Sequence, residues 1–253
     1  MEIEWPTPEK LPELRSDEVH VWAVDTNASH FVSDDDPREL STDERARAAQ
    51  FRLDAPRRRF VLARVALRRL LGTYLNVPAE TVMIHIDPNW KPRLGDSHAK
   101  ADLQFNLAHS GDLALFAIAI GCDVGVDVEQ IRPVAHADRI ADRFFHPAES
   151  RAIASAADEV RDVNFLRCWA GKEAVLKSLG SGVTGSLATF QVPTGVCDRE
   201  RIELPAKLAG GEMRCWLQPL VPCSGYVGAV AWLGTERQAR CFELGIQRSE
   251  TFN

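Results

Sequence analysis

Two carboxylates stand two positions apart, Asp127 and Glu129, in the run Val124-Gly125-Val126-Asp127-Val128-Glu129. Strand alternation would put both on one face, with Val126 and Val128 on the other. Carboxylates held that close repel each other unless a cation joins them, and hard oxygen donors of this kind suit Mg²⁺. Surface strands also carry such pairs, so Asp-x-Glu alone decides little. Glu173 and Lys177 add a second pair, at i and i+4 in the run Trp169 to Lys177, and share one helix face. As a surface ion pair they would contribute only about 0.3–0.5 kcal/mol and have no further role.

A third group is basic. Of 30 basic residues, 24 are Arg and 6 are Lys. Nine of the Arg (Arg45, Arg47, Arg52, Arg57, Arg58, Arg59, Arg64, Arg68 and Arg69) lie between Glu44 and Arg69, against two acids, Glu44 and Asp54. That local excess of +7 sits in a chain of net charge -6. A guanidinium offers a planar fork of donors matched to phosphate oxygens, so the cluster suits a phosphorylated ligand or a nucleic acid; a solvated helix face is the plain alternative. His109 closes an apolar strand segment, where a hydrogen-bonded structural role is the ordinary one.

Those side chains need a framework. At ~150 residues per domain, 253 residues make one large or two small domains with a proper core. The longest apolar run, Leu113 to Ile120, is eight residues, well short of the ~20 that cross a bilayer. The start, Met1-Glu2-Ile3-Glu4, lacks a secretory pattern, so a cytoplasmic protein is expected. Six cysteines without a Cys-x-x-Cys pair read as reduced thiols, and the seven histidines show no zinc spacing.

Along the chain, His20 to Asp25 alternates as a first strand. Ser41 to Glu44 has the form of a capping box opening a helix that carries Arg45 and Arg47. Pro56 punctuates, and a second helix is expected over Arg57 to Tyr74, with Arg59, Arg64, Arg68 and Arg69 partly outward; Gly72 falls too early to be its C-cap. Strands follow at Thr81 to Ile86, from Phe105, at Leu113 to Ile120 and at Val124 to Glu129, with a turn-rich stretch from Asp87 to Asp102. Pro147 opens a helix, and Val163 to Leu179 forms a longer one ended by Gly180-Ser181-Gly182. Short strands fill the chain through Trp232.

Arg59 to Gly72 and Arg167 to Gly180 superpose at an offset of 108, each preceded by a helix with an acidic first turn and followed by strands. This predicts an α+β duplication with a ligand cleft between the halves.

In its combined motifs the sequence resembles the 4′-phosphopantetheinyl transferases, specifically the larger, monomeric, surfactin-synthetase-activating type. The pieces are Phe105-Asn106-Leu107-Ala108-His109-Ser110, Gly125-Val126-Asp127-Val128-Glu129, Phe144-Phe145 with Glu149, Trp169-x-x-Lys172-Glu173-Ala174-x-x-Lys177, and a trailing Gly180-x-Gly182. They follow the family's order over roughly residues 20 to 232. Residues 1–19 and 234–253 lie outside it and are assigned no function.

The resemblance implies two pseudo-repeated α/β half-domains with the active site between them. Residues 1–122 would supply the coenzyme A phosphate and adenosine contacts, and 123–253 the carboxylates and the catalytic helix. It implies Asp127, Glu129 and Glu173 as ligands of Mg²⁺, or Mn²⁺ in its place, together with the pyrophosphate of coenzyme A. His109 and Ser110 would meet the coenzyme's phosphates, Arg59 and Arg47 its 3′-phosphate, and Lys177 the phosphate at the reacting end. Lys91-Pro92 resembles a segment beside the adenine, although Trp90 stands where the family has Gly. Another basic position of the family is Glu44 here, with Arg45 as a substitute. Lys177 and Asp127 are then catalytic together with Glu173, the first candidate for the base; a water or Glu129 are the others. The implied reaction moves 4′-phosphopantetheine from coenzyme A to a serine of an apo acyl or peptidyl carrier protein and releases adenosine 3′,5′-bisphosphate.

Trp169 and Phe145 are expected in the core, and Arg57, Arg58, Arg68 and Arg69 at the surface, where an acidic carrier could dock. A nucleic-acid binder is disfavoured by a pI near 5.7 and few interleaved aromatics. A carrier-binding scaffold without catalysis conflicts with the intact set Asp127, Glu129, Glu173 and Lys177. A Mg²⁺-dependent phosphohydrolase is set aside only by the resemblance.

Overall fold

The computed structural model describes residues 4–27, 37–89, 91–180, 184–195, 197–209 and 214–245. Trp90, Ser181 and Gly182, singled out above, lie outside the described residues. Among the described residues no helix is long and apolar enough to cross a membrane, and all six cysteines are free thiols.

Strand β1 (Glu18–Asp25) shows how the layers arise. Its odd residues Val19, Val21 and Ala23 enter one apolar cluster, while Trp22 and Val24 enter another on the opposite face. The first helices are α1 (Thr42–Ala49) and α2 (Asp54–Leu75). α1 has the expected capping box, with Ser41 and Glu44 each accepting from the other's backbone N–H. α2 begins ahead of Pro56 rather than after it, because a proline in the first turn gives up an N–H that has no helical partner there. It ends at Asn76, left-handed at φ 53°, and Gly72 lies inside the helix as expected.

A short ribbon, β2 (Ile84–Ile86) and β3 (Pro92–Leu94), leads to the hairpin β4 (Leu103–Ser110) and β5 (Leu113–Ile120). Then come β6 (Val124–Gln130), α3 (Ala137–Phe144), α4 (Pro147–Ala154) and the long α5 (Asp158–Leu179), which starts five residues ahead of the expected Val163. Strands β7 (Glu200–Ile202), β8 (Cys215–Leu220), β9 (Tyr226–Leu233) and β10 (Gln238–Glu243) follow.

Two four-stranded sheets result, in the orders β10-β1-β5-β4 and β6-β9-β8-β7. One cluster joins α2 to the first sheet, a second joins α5 to the second sheet, and a third lies between the sheets, where Val19, Val21, Leu115 and Ala117 meet Val124, Val126, Val230 and Trp232. The layers therefore run helix, sheet, sheet, helix, an α+β arrangement with two similar halves. The first sheet takes its strands from the chain up to Ile120 and the second from Val124 onward, with one exception. β10 returns to pair parallel with β1, its Phe242 facing the α2 side and its Cys241 the inter-sheet side.

The duplication is visible in the helices, but at an offset of 104 for the long pair and 105 for the short pair: both long helices have 22 residues and both short ones 8. Each short helix has a capping box, and in each the boxed glutamate reaches a cation on the long helix, Glu44 to Arg68 at 2.6 Å and Glu149 to Lys172 at 2.8 Å. The offset of 108 read from sequence is one turn away. A slide of four residues leaves apolar residues on nearly the same helix face, so the pattern cannot separate the two registers.

Candidate active site

The site begins where β6 lies on α5. A Cβ on Gly125 would fall 2.1 Å from the Ala174 carbonyl oxygen and 2.3 Å from the Ser178 amide nitrogen, so only glycine lets strand and helix backbones come this close. Asp127, on the same strand face, then meets α5: Lys177 Nζ donates to its Oδ1 at 2.6 Å and to the Val126 carbonyl at 3.3 Å. Asp127 is buried, and its Oδ2 has no hydrogen-bond partner among the described residues. Burial pushes its pKa up to about 7, helped by the charges of Glu129 and Glu173, while Lys177 pulls it back. Such an oxygen is poised to take a cation.

Glu129 is held differently. Ser110 Oγ donates to its Oε2 at 3.1 Å and accepts from the Gln130 N–H at 3.1 Å, and Arg132 approaches the same Oε2 at 3.4 Å. Its other oxygen has no hydrogen bond or ion pair among the described residues. Glu173 is half-buried on α5 and makes no hydrogen bond or ion pair among the described residues; its charge is felt at Asp127. Asp127, Glu129 and Glu173 thus surround one corner, but among the described residues no three carboxylate, imidazole or thiol groups close to metal-ligand distances. Ser110, expected against the coenzyme, has its hydroxyl on Glu129.

Across this corner the charge is positive. His109 reaches solvent from the end of β4; partial burial and then the charges of Lys177, Arg64 and Arg47 hold its pKa below the ordinary value. Arg47 and Arg64 both lie over the Phe60 ring, at 5.7 and 5.6 Å. Arg64 was not singled out in the sequence as a site residue. What marks it is its place one helical turn beyond Phe60 on the face that carries the ring. Its nearest acid, Glu44, is 3.9 Å away and already bonded to Arg68, so positive charge is left over. Burial depresses the Arg64 pKa as well.

Arg59 is turned to the β4–β5 turn, its Nε and Nη2 each 2.7 Å from Asp112 Oδ1. Arg68, expected at the surface, is buried instead and binds Glu44 and the Val82 carbonyl; Glu44 is thereby a helix-holding acid. Arg45 donates to the Pro37 and Arg38 carbonyls. Lys91 is buried as a strut: Nζ donates to Asp123 at 2.9 Å and to the Ser178 carbonyl at 3.3 Å, and Arg93 joins the same carboxylate. Burial lowers the Lys91 pKa. Pro92 opens β3, half-buried beside it.

Two motif residues shape the frame. Lys172, fully buried, has its Nζ on Glu149, the Leu187 carbonyl (2.6 Å) and the Phe190 carbonyl (2.7 Å), 4.5 Å from the Phe190 ring. Trp169 stacks on Phe165 in the core with Phe145, as expected. Asn106 Oδ1 accepts from the Val126 N–H and ties β4 to β6. A groove of about 650 Å³ between α4, residues 189–194 and β7 includes none of the expected site residues.

Comparison with known proteins is consistent along the chain. Residues 123–231 match the family model described as the 4′-phosphopantetheinyl transferase superfamily, and residues 36–120 match that of the 4′-phosphopantetheinyl transferase N-terminal region. The 4′-phosphopantetheinyl transferase HetI of Nostoc sp. is 38% identical over 90% of this chain and 93% of that protein. Psf-1 of Bacillus pumilus is 31% identical over 66% of this chain and 69% of its own length. Sfp of Bacillus subtilis is 27% identical over 76% and 81% respectively; both bear the same enzyme name.

Proposed function

This chain belongs to the 4′-phosphopantetheinyl transferase superfamily, and we propose that it moves the 4′-phosphopantetheine group of coenzyme A onto a serine hydroxyl of an apo acyl or peptidyl carrier protein, with Mg²⁺, releasing adenosine 3′,5′-bisphosphate. One observation carries the substrate reading. An acidic corner with an unpartnered, buried Asp127 oxygen adjoins a strip of surplus cations, and His109 feels both Lys177 and the pair Arg47 and Arg64. A ligand with a pyrophosphate at one end and a separate phosphate at the other suits such a surface.

Asp127, through Oδ2, with Glu129 and Glu173 would hold Mg²⁺, a donor set of hard oxygens that fits the ion. When bound, the ion supplies neutralisation of charge on the pyrophosphate. Arg47, Arg59 and Arg64 take the 3′-phosphate, and His109 lies along the path between the phosphates. The carrier serine oxygen attacks the pantetheine-side phosphorus. A P–O bond forms as the bond to the bridging oxygen breaks, and that electron pair leaves on adenosine 3′,5′-bisphosphate. Lys177 Nζ, already within 2.6 Å of Asp127, lies beside the attacked phosphate and offsets its growing charge. Glu173, with no hydrogen bond among the described residues, takes the serine proton. Ser110 keeps Glu129 turned, and Lys91 with Asp123 fixes the end of α5, so both act by positioning. The first half thus supplies the coenzyme contacts and the second the reacting carboxylates. Both halves lie in one chain, and we take the working unit to be a monomer.

Apo acyl and peptidyl carriers incubated with the protein, coenzyme A and Mg²⁺ provide the test by intact mass spectrometry. A phosphopantetheine adduct on the carrier, absent when its acceptor serine is replaced by alanine, is expected. No adduct on any carrier class would overturn the proposal.

A further inference from the structure

The turn between β4 and β5 is pinned by both halves of the molecule. The Asp112 N–H donates to Tyr226 Oη at 3.2 Å, and the Asp112 carbonyl accepts from Thr26 N–H at 2.7 Å and from Thr26 Oγ1 at 2.9 Å. Gly111 before it is left-handed, φ +57°, a conformation that strains any other residue, and it lies against Tyr226 Oη and Gln130 Oε1. The Asp112 carboxylate is therefore held at the lip of the cationic strip and cannot withdraw by moving its backbone. It faces Arg59, with Nε and Nη2 both on the single oxygen Oδ1.

We propose that Asp112 is a specificity-determining residue: its carboxylate competes with the incoming 3′-phosphate for Arg59 and so limits how strongly that phosphate is preferred. The inference rests on the reading of Arg59 as a 3′-phosphate contact.

The side chains of Arg59 and Asp112 are 43% and 42% exposed, so their pair lies in water and is weak enough to exchange. A phosphate dianion offers the guanidinium two or three oxygens in place of one, and so displaces the carboxylate. Binding is then the exchange of one anion for another on the same fork. The displaced carboxylate, pinned by its backbone, stays within reach of Arg59 and goes on competing for it. Asparagine would keep the shape, the backbone bonds and an oxygen for Arg59 while removing the charge. If Asp112 served only to hold Arg59 in posture, that change would weaken coenzyme binding instead.

The test is the dissociation constant of coenzyme A and of 3′-dephospho-coenzyme A, by calorimetry at low salt, for the wild type, Asp112→Asn, Arg59→Ala and the double variant. Asp112→Asn is expected to tighten coenzyme A about two- to five-fold, the scale of an exposed charge pair, and to leave the dephospho form unchanged. In the Arg59→Ala background the gain disappears. Weaker coenzyme A binding by Asp112→Asn, or equal changes for both ligands, overturns the competition. If Arg59→Ala itself leaves the ratio between the two ligands unchanged, the 3′-phosphate assignment of Arg59 falls, and this inference with it.

Discussion

Asp127 and Lys177, fifty positions apart in the chain, meet at 2.6 Å across the contact of β6 with α5. The lysine only partly offsets the burial of the carboxylate, whose pKa stays raised to about 7. An acid raised from 3.8 binds more protons folded than unfolded in the interval between the two values, so its contribution to stability is full below about 4 and is lost as pH rises through 7. Asp127→Asn should flatten that fall, making the metal-free variant more stable than wild type at pH 8 by on the order of a few kcal/mol, while weakening Mn²⁺ binding more than ten-fold. Urea denaturation across pH and Mn²⁺ titration by electron paramagnetic resonance check both. A variant as pH-dependent as wild type would show that Asp127 is not the strained group.

The paired carboxylates and the helix that carries Glu173 and Lys177 were legible in the sequence because period-two and i, i+4 spacing fix faces without tertiary knowledge. Asp127 and Glu129 do share the strand face that carries Gly125. Other features were not legible, for physical reasons. An Arg at the right periodicity reads as outward, yet Arg68 is buried because Glu44, 24 residues away, meets it there. Helix periodicity also tolerates a four-residue slide, hence the wrong repeat register. The pairing of Asp112 with Arg59 and the return of β10 to β1 depend on contacts far apart in the chain, which no local pattern records.

Gly125 carries the approach of β6 to α5. Gly125→Ala puts a methyl group into the α5 backbone, where no flexible side chain can give way. The expected loss is at least about 2 kcal/mol, seen as a melting temperature lower by roughly 4–8 °C. An unchanged melting temperature would mean that the strand can move away from the helix at little cost.

Lys172 and Glu149 are motif residues with a structural task. Their charges are fully buried, and Glu149 also accepts from the Val192 and His146 N–H groups. Removing one partner strands the other, so Lys172→Met or Glu149→Ala should cost about 3–5 kcal/mol. The folded fraction of each variant should bind coenzyme A as tightly as wild type. Normal stability with lost coenzyme affinity would instead make the pair a binding element.

His109 gives a proton signature of ligand binding. Burial and the charges of Lys177, Arg64 and Arg47 keep its free-state pKa below 6.5, so the ring is neutral at pH 7. A phosphate beside it stabilises the imidazolium and raises that pKa. The bound state then holds more protons than the free state between the two pKa values, and affinity rises as pH falls through that window. Calorimetry with coenzyme A at pH 7 in buffers of different ionisation enthalpy should show net proton uptake by the wild type and less by His109→Gln. The ligand's own phosphates titrate in both proteins, so the difference between them isolates the imidazole. Equal uptake in the two would place His109 outside the path of the phosphates.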